Sequence, residues 1–291
     1  MGKRIGIPSR YRRLALAVAA GLVLAVVAGC CRQGGSCPAP TPAFAPAPMA
    51  PDAGSGAPIQ LWLPVAGRVV VLDPGHGGKD DGASHHDLKE KDINLDLARR
   101  TAELLRRRGV DVRLTRDDDA FIPLGERSAF ANELPNAIFV SIHVNAVDNS
   151  PKATGIETFI LSDSHTDEDR GRQAGEKFRM DGIDSAYGRS ALADMATGSR
   201  SRGAELAQIL QRTLVGRLAD RDRGVKKANM AVLRETYLCP AVLVETGFVS
   251  NPDVAERMRG DEWRRQTAEA LEAGIVEYLR RPDTAYVRAR P

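Results

Sequence analysis

"VVVLDPGHGG", residues 69–78, decides how this chain reads. Four apolar residues, Val69 to Leu72, predict a short buried strand, which the run Asp73-Pro74-Gly75-His76-Gly77-Gly78 breaks at once. The break leaves one imidazole, His76, in a loop almost stripped of side chains. Two further apolar runs end in the same kind of residue. "AIFVSIH" (137–143) ends at His143, and "AVLVE" (241–245) ends at Glu245. In open α/β sheets, ligands sit beyond the carboxyl ends of the strands. If those ends lie together, two histidines and a glutamate meet at one spot.

Outward from this stretch, strands are expected at 68–73, 110–115, 137–143, 155–161, 230–234 and 241–245. Ile93, Leu97 and Leu104 mark one face of a helix over 91–108, which Gly109 stops. A second helix is expected over 261–280, with Trp263, Leu271, Ile275 and Tyr278 inward, and Asn251-Pro252 reads as a helix cap and first turn. Strands that alternate with helices, several of them apolar throughout, predict an α/β fold. It is one domain, residues 67–291, with a twisted, mostly parallel sheet covered by helices on both faces.

The chain has 291 residues, 43% of them hydrophobic, enough to bury a core. Its formal charge of +3 includes Lys3, Arg4, Arg10, Arg12 and Arg13. Taking those five from +3 leaves −2 for the remainder, so no broad polyanion-binding surface is expected and nucleic acid is excluded as a partner. The basic stretch is followed by fifteen apolar or small residues, Leu14 to Ala28. That length is short for a membrane span and suits an export signal over residues 1–29. Val27-Ala28-Gly29-Cys30 resembles a bacterial lipobox, which implies cleavage before Cys30 and its lipidation; an uncleaved helical anchor is the other reading. Residues 30–66 are largely Pro- and Ala-rich and read as a tether. At roughly 3.1 Å per residue its Pro-rich part reaches about 80 Å from a bilayer. Cys31 and Cys37 fall in this tail, and Cys239 beside an apolar run reads as a core residue, so no disulfide framework is expected.

Glu90, in "LKEKDIN", stands at the mouth of the first long helix. A carboxylate there either favours the helix N-terminus or completes a His, Glu, His metal set with an open fourth position. Asp73 either orients His76 from behind or forms the turn. Asn145, after His143, either contacts substrate or caps a turn. His85, His86 and His165 lie in polar stretches and read as solvated, and Arg127 reads as structural on a helix.

"VVLDPGHGG", "EKDINLDLA", "SIHVNA", "RGVKKANMAVLR" and "PAVLVETGFVSN" occur in the order and spacing of the zinc-dependent N-acetylmuramoyl-L-alanine amidases, the type 3 bacterial cell-wall amidases. The resemblance runs from Arg68 to Leu279. It implies one Zn2+ bound by His76, Glu90 and His143, with Glu245 catalytic. It implies peptidoglycan as substrate and, as the bond cut, the amide joining the lactyl group of muramic acid to L-alanine of the stem peptide. Two readings stand beside it: a non-catalytic peptidoglycan-binding lipoprotein, and a zinc peptidase acting on the stem peptide.

Residues 162–200 exceed what the simplest relatives carry. Regulated relatives place an autoinhibitory insertion in a similar place, which implies a plug for the metal (Glu168, Asp169, Asp184 or Asp194) and release by an activator protein with a metallopeptidase-like domain; a substrate-groove wall and an ordinary packed helix are the other readings. Ile183, Tyr187, Ala191 and Met195 predict one apolar helical stripe in it. Asp81 stands where relatives often have proline. The expected location is the periplasmic face of the cell envelope, lipid-anchored. Cys31 after the anchor cysteine leans to the outer membrane.

Overall fold

The computed structural model describes residues 68–134, 136–162 and 186–281, with side chains in the last stretch from Thr197 onward. The elements in chain order are β1 (Val69–Pro74), β2 (Ser84–His85), β3 (Leu88–Lys89), α1 (Glu90–Arg107), β4 (Asp111–Leu114), α2 (Leu124–Asn132), β5 (Ala137–Asn145), β6 (Ile156–Leu161), α3 (Ala186–Leu218), β7 (Asp222–Ala228), α4 (Ala231–Arg234), β8 (Ala241–Phe248), α5 (Pro252–Arg259) and α6 (Asp261–Leu279). Six strands form one sheet in the order β4-β1-β5-β8-β6-β7. Neighbours run parallel except β6 and β8, which pair antiparallel. Among the described residues no helix is long and apolar enough to cross a membrane.

Side chains alternate across each strand and build two separate cores. Val70, Leu72, Ile138, Val140, Ile142, Val242 and Val244 face one way, against Ile93 and Leu97 of α1, Leu206 and Leu210 of α3, and Leu271 and Ile275 of α6. Val71, Phe139 and Leu243 face the other way, against Ala131 of α2 and Val232 and Leu233 of α4, with Cys239 in the same layer. The second layer is built from short helices only. Toward the carboxyl ends of β1, β5 and β8 the residues on that face are Asp73, Ser141, His143 and Glu245. The apolar layer therefore gives way to polar groups where the sheet ends.

The strand expected at 230–234 is a correction. Those residues form the short helix α4, which buries Val232 and Leu233, and the strand in this region is β7, a few residues earlier. β7 lies at the sheet edge, and none of its residues is fully buried. An edge strand needs only one buried face and tolerates charge, so "DRGVKKA" carries no apolar run to announce it. At α5 the Asn251 side chain accepts from the backbone N–H groups of Asp253 (2.9 Å) and Val254 (3.3 Å) with Pro252 following, as its cap was expected to. Within the 162–200 segment, residues from Ala186 on belong to α3. Ile183, His165, Glu168, Asp169 and Asp184, and the side chains of Tyr187, Ala191, Asp194 and Met195, lie outside the described residues.

Candidate metal centre

β1 ends at Pro74 and the chain turns through residues of left-handed conformation: His76 at φ 60°, Gly77 at 126° and Gly78 at 58°. For glycine this costs little, but for histidine it stores strain of order 1 kcal/mol or more. Two buried arginines hold the turn in place by taking its carbonyls. Arg116 donates to Pro74 O (2.9 Å) and Gly75 O (2.8 Å), and Arg127 donates to Pro74 O (2.8 Å) and His76 O (2.7 Å). Arg127 also pairs with Asp73 at 2.7 Å, and Asp73 accepts from Thr115 (2.6 Å) and Ser141 (2.7 Å). Asp73 thus reaches His76 through Arg127 and the backbone. The ring of His76 is held by Asp80, whose Oδ2 lies 2.9 Å from Nδ1.

Glu90 opens α1 and is 5% exposed. Its two oxygens are shared out. Oε2 accepts from Ala83 N (2.9 Å) and faces His76 Nε2 at 3.2 Å, while Oε1 accepts from Val144 N (3.1 Å) and lies 2.9 Å from His143 Nδ1. Burial raises the Glu90 pKa, but the imidazoles of His143 and His76 outweigh it and hold the carboxyl well below the usual range. At His76 burial works downward, and Glu90 and Asp80 together lift the net pKa above 6.5. Both shifts mark an acid kept ionised beside two imidazoles that compete for its charge. The same three groups suit a divalent cation better than a proton, because each offers a lone pair to a common point.

Ligating atoms of His76, Glu90 and His143 all lie within 4.8 Å of one another. The two imidazole rings meet edge to face at 5.0 Å. The surrounding backbone is shaped for this cluster. A Cβ on Gly75 would stand 2.2 Å from the His143 ring, and one on Gly82 would stand 2.6 Å from Glu90 Oε2 and 2.7 Å from His76. With two nitrogens, one oxygen and side-chain-free walls, the residues fit a metal ion. The Asp80 contact suits it further, because a carboxylate on Nδ1 fixes the tautomer that leaves Nε2 free to bind metal.

Strand register brings in Glu245. β5 and β8 pair parallel with His143 opposite Glu245, and the ladder shifts register just beyond, between His143 and Asn145. Glu245 is half-buried as a residue, yet its Oε2 is sealed from solvent and has no hydrogen-bond partner among the described residues. Burial first, then the charges of Glu90 and Glu157, push its pKa well above 4.5. An orphaned carboxylate oxygen that favours its proton, one strand from a metal-type cluster, makes Glu245 a candidate proton carrier.

With this geometry in hand, the family model for N-acetylmuramoyl-L-alanine amidase matches residues 70–277. The chain belongs to the N-acetylmuramoyl-L-alanine amidase family. The amidase AmiA of Escherichia coli is 33% identical over 228 residues, which cover 73% of this chain and 76% of that protein. The amidase AmiC of Neisseria meningitidis is 35% identical over 220 residues, 72% of this chain but only 52% of its own length. A crystal structure of an N-acetylmuramoyl-L-alanine amidase from Clostridium difficile superposes with a TM-score of 0.57 at 32% identity, covering 73% of this chain and 96% of that one. The mostly parallel sheet and its helices are the expected architecture.

A cavity of about 260 Å³ opens against the cluster of this family member. Phe121, Ile122, Leu124 and Val232 form the apolar part of its lining, which His76 and His143 share. Phe121 and Leu124 are exposed, at 40% and 52%. Asn145 donates to Glu157 at 2.6 Å. His85 and His86 stand in the β2–β3 hairpin; His85 faces Asp148 at 3.4 Å and His86 faces Ser250 O at 3.3 Å, so neither joins the cluster. Sequence reasoning did not single out Asp80, Arg116 or Glu157. Asp80 alone had a local signal, its place four residues after His76 in a glycine-rich turn.

Proposed function

We propose that this chain is a zinc-dependent hydrolase of peptidoglycan that cuts the amide between the lactyl group of muramic acid and L-alanine of the stem peptide. The observation that carries the reading is the register of Glu245 against His143, which sets an unpartnered buried carboxylate beside the His76, Glu90, His143 set. His76, Glu90 and His143 would hold one zinc ion. When bound there, zinc supplies Lewis acidity, which polarises the amide carbonyl and brings the pKa of a water near 7. Glu245 accepts the proton of the attacking water. As the carbon–nitrogen bond breaks, Glu245 returns that proton to the alanine nitrogen, leaving a carboxylic acid on the lactyl group and a free amine on the peptide. A raised pKa suits it for both halves of this transfer, and such a group contributes roughly 10² to 10⁴ in rate. The apolar wall of Phe121, Ile122 and Leu124 supports a bulky, uncharged portion of substrate beside the metal.

The envelope setting is part of the same proposal. Residues 1–29 would be a lipoprotein signal, Cys30 the lipidated residue, and 30–66 a tether holding the domain of residues 67–291 off the membrane on its periplasmic side. The 162–200 segment would be regulatory and answer to an activator protein. The test is mass spectrometry of products released from purified sacculi by the full-length protein, with zinc and with a chelator. Intact stem peptides bearing a free L-alanine amine, lost with chelator, are the expected result. Shortened peptides would favour a zinc peptidase instead, and no release on zinc-loaded, insertion-deleted protein would favour a wall-binding lipoprotein.

A further inference from the structure

Across the sheet the reactive groups follow the strand order. His76 stands at the end of β1, His143 on β5 and Glu245 on β8, and the next strand, β6, sets Glu157 directly opposite Glu245 in an antiparallel pair. Directly opposed residues of such a pair share a face, and the Glu157 charge is felt at Glu245. Beyond it, the edge strand β7 sends two cations back to the same point. Arg223 Nε donates to Glu157 Oε2 at 2.9 Å and Lys226 Nζ pairs with that oxygen too, while Asn145 holds Oε1. Glu157 is 4% exposed.

Among the described residues Glu157 is the acid that pairs with both cations, so Arg223 and Lys226 together carry one positive charge more than that partner neutralises. Neutralising Glu157 would take a single partner. Arg223 is braced by more than that pair: its guanidinium lies 4.7 Å over the Phe248 ring and Nη1 reaches Thr154 O at 3.4 Å. Among the described residues its Nη2 has no acceptor. Both side chains keep a solvent-facing part, 27% for Arg223 and 40% for Lys226. A braced guanidinium with a free edge, next to a second cation, has the donors and the charge that a carboxylate would pair with.

We propose that Arg223 and Lys226 form a subsite for a carboxylate of the stem peptide, the α-carboxyl of its second residue. The inference rests on the amidase reading above and assigns the direction in which substrate lies. Glu245 protonates the departing alanine nitrogen, so the peptide arm leaves from its side, away from the apolar wall near β1. β7 is two strand spacings from β8, about 10 Å. Two extended residues span about 7 Å, and the long side chains on β7 close the difference. The sugar then lies toward Phe121 and Leu124, which carry no charge, and the anionic peptide lies over β6 and β7.

The test compares two soluble disaccharide–tetrapeptide substrates, identical except that the second residue carries a free or an amidated α-carboxyl. Full-length, zinc-loaded protein should cleave the free form with kcat/KM at least about tenfold higher, mostly through KM. Lys226→Gln, which leaves Arg223 to pair Glu157, should shrink that preference, and Arg223→Gln with Lys226→Gln should abolish it; zinc content and melting temperature report whether each variant folds. Equal cleavage of the two substrates by the unaltered protein would overturn the subsite, and so would a folded double variant that keeps the preference. If neither substrate is cut and sacculi are untouched by the full-length and by the insertion-deleted, zinc-loaded protein alike, the amidase reading fails, and the subsite with it.

Discussion

Gly75→Ala tests whether the backbone at the strand end is shaped for a metal. Gly75 is not in the left-handed region, so its backbone accepts alanine and the consequence is purely spatial. The new Cβ would lie 2.2 Å from His143 Cε1 and 2.3 Å from Nε2, where ordinary contact begins at 3.4 Å. Ring or backbone must retreat by about 1.2 Å. Metal–ligand distances tolerate only about 0.2 Å, and misplacing a catalytic group by about 1 Å costs about 10² in rate. Zinc affinity should fall at least about tenfold and turnover about a hundredfold. Stability should fall by only about 1–3 kcal/mol, the usual range for overpacking. Zinc affinity is read by competition with a chromogenic chelator, turnover by release of stem peptide, and folding by thermal melts of the metal-free protein. Gly216→Ala is the control: it lies inside α3 with nothing within 4 Å of a Cβ, so it should bind zinc normally and gain about 0.5–1 kcal/mol. A Gly75→Ala protein with full zinc affinity and turnover would refute the reasoning.

Other changes separate chemistry from scaffolding. Glu245→Gln should keep zinc and lose about 10² to 10⁴ in rate. It should also change how the metal-free protein responds to pH. Below about 4.5 both folded and unfolded carboxyls hold their protons; above it only the buried folded one does, so stability falls as pH rises. The melting temperature of Glu245→Gln relative to the unaltered protein should therefore climb between pH 4 and 7, and a flat difference would contradict it. Asp80→Ala should weaken zinc binding by about 10- to 100-fold, with activity restored by added zinc, as a zinc titration of the rate would reveal. Arg127→Met strands Asp73, 1% exposed, without its charge partner. Urea unfolding should record a loss of about 3–5 kcal/mol, and a loss below about 1 kcal/mol would count against the turn-holding role.

The buried strands were legible because each is an apolar run that ends abruptly. β1, β5 and β8 sit at the centre of the sheet, where both faces and both edges are covered, and such strands must be hydrophobic throughout. β7 was not legible, because an edge strand is under no such constraint. Its charged sequence was not among the expected strands, and a strand was expected instead at 230–234, around the apolar pair Val232 and Leu233. A run of four or five residues carries too little periodicity to separate one helical turn from a strand.

His76, His143 and Glu245 could be named from sequence because each ends or follows an apolar run, and the carboxyl-terminal parts of neighbouring parallel strands gather ligands by topology alone. Glu90 had two readings, helix-terminal charge or ligand, and its position between both imidazoles is a fact of packing. Asp80 against His76, two arginines holding the carbonyls of a left-handed turn, and Glu157 opposite Glu245 with two cations behind it join residues as far apart in the chain as Glu157 and Glu245. The sequence alone determined the α/β order, the three polar strand ends and the glycines that clear space for them, since these follow from local hydrophobicity and backbone freedom. Only the tertiary structure decided which acid holds which ring, which carboxylate is left unpartnered, and where positive charge collects beside it. Those depend on strand register and on helices meeting across the sheet, and electrostatic pairing is set by distance in space, which no local pattern encodes.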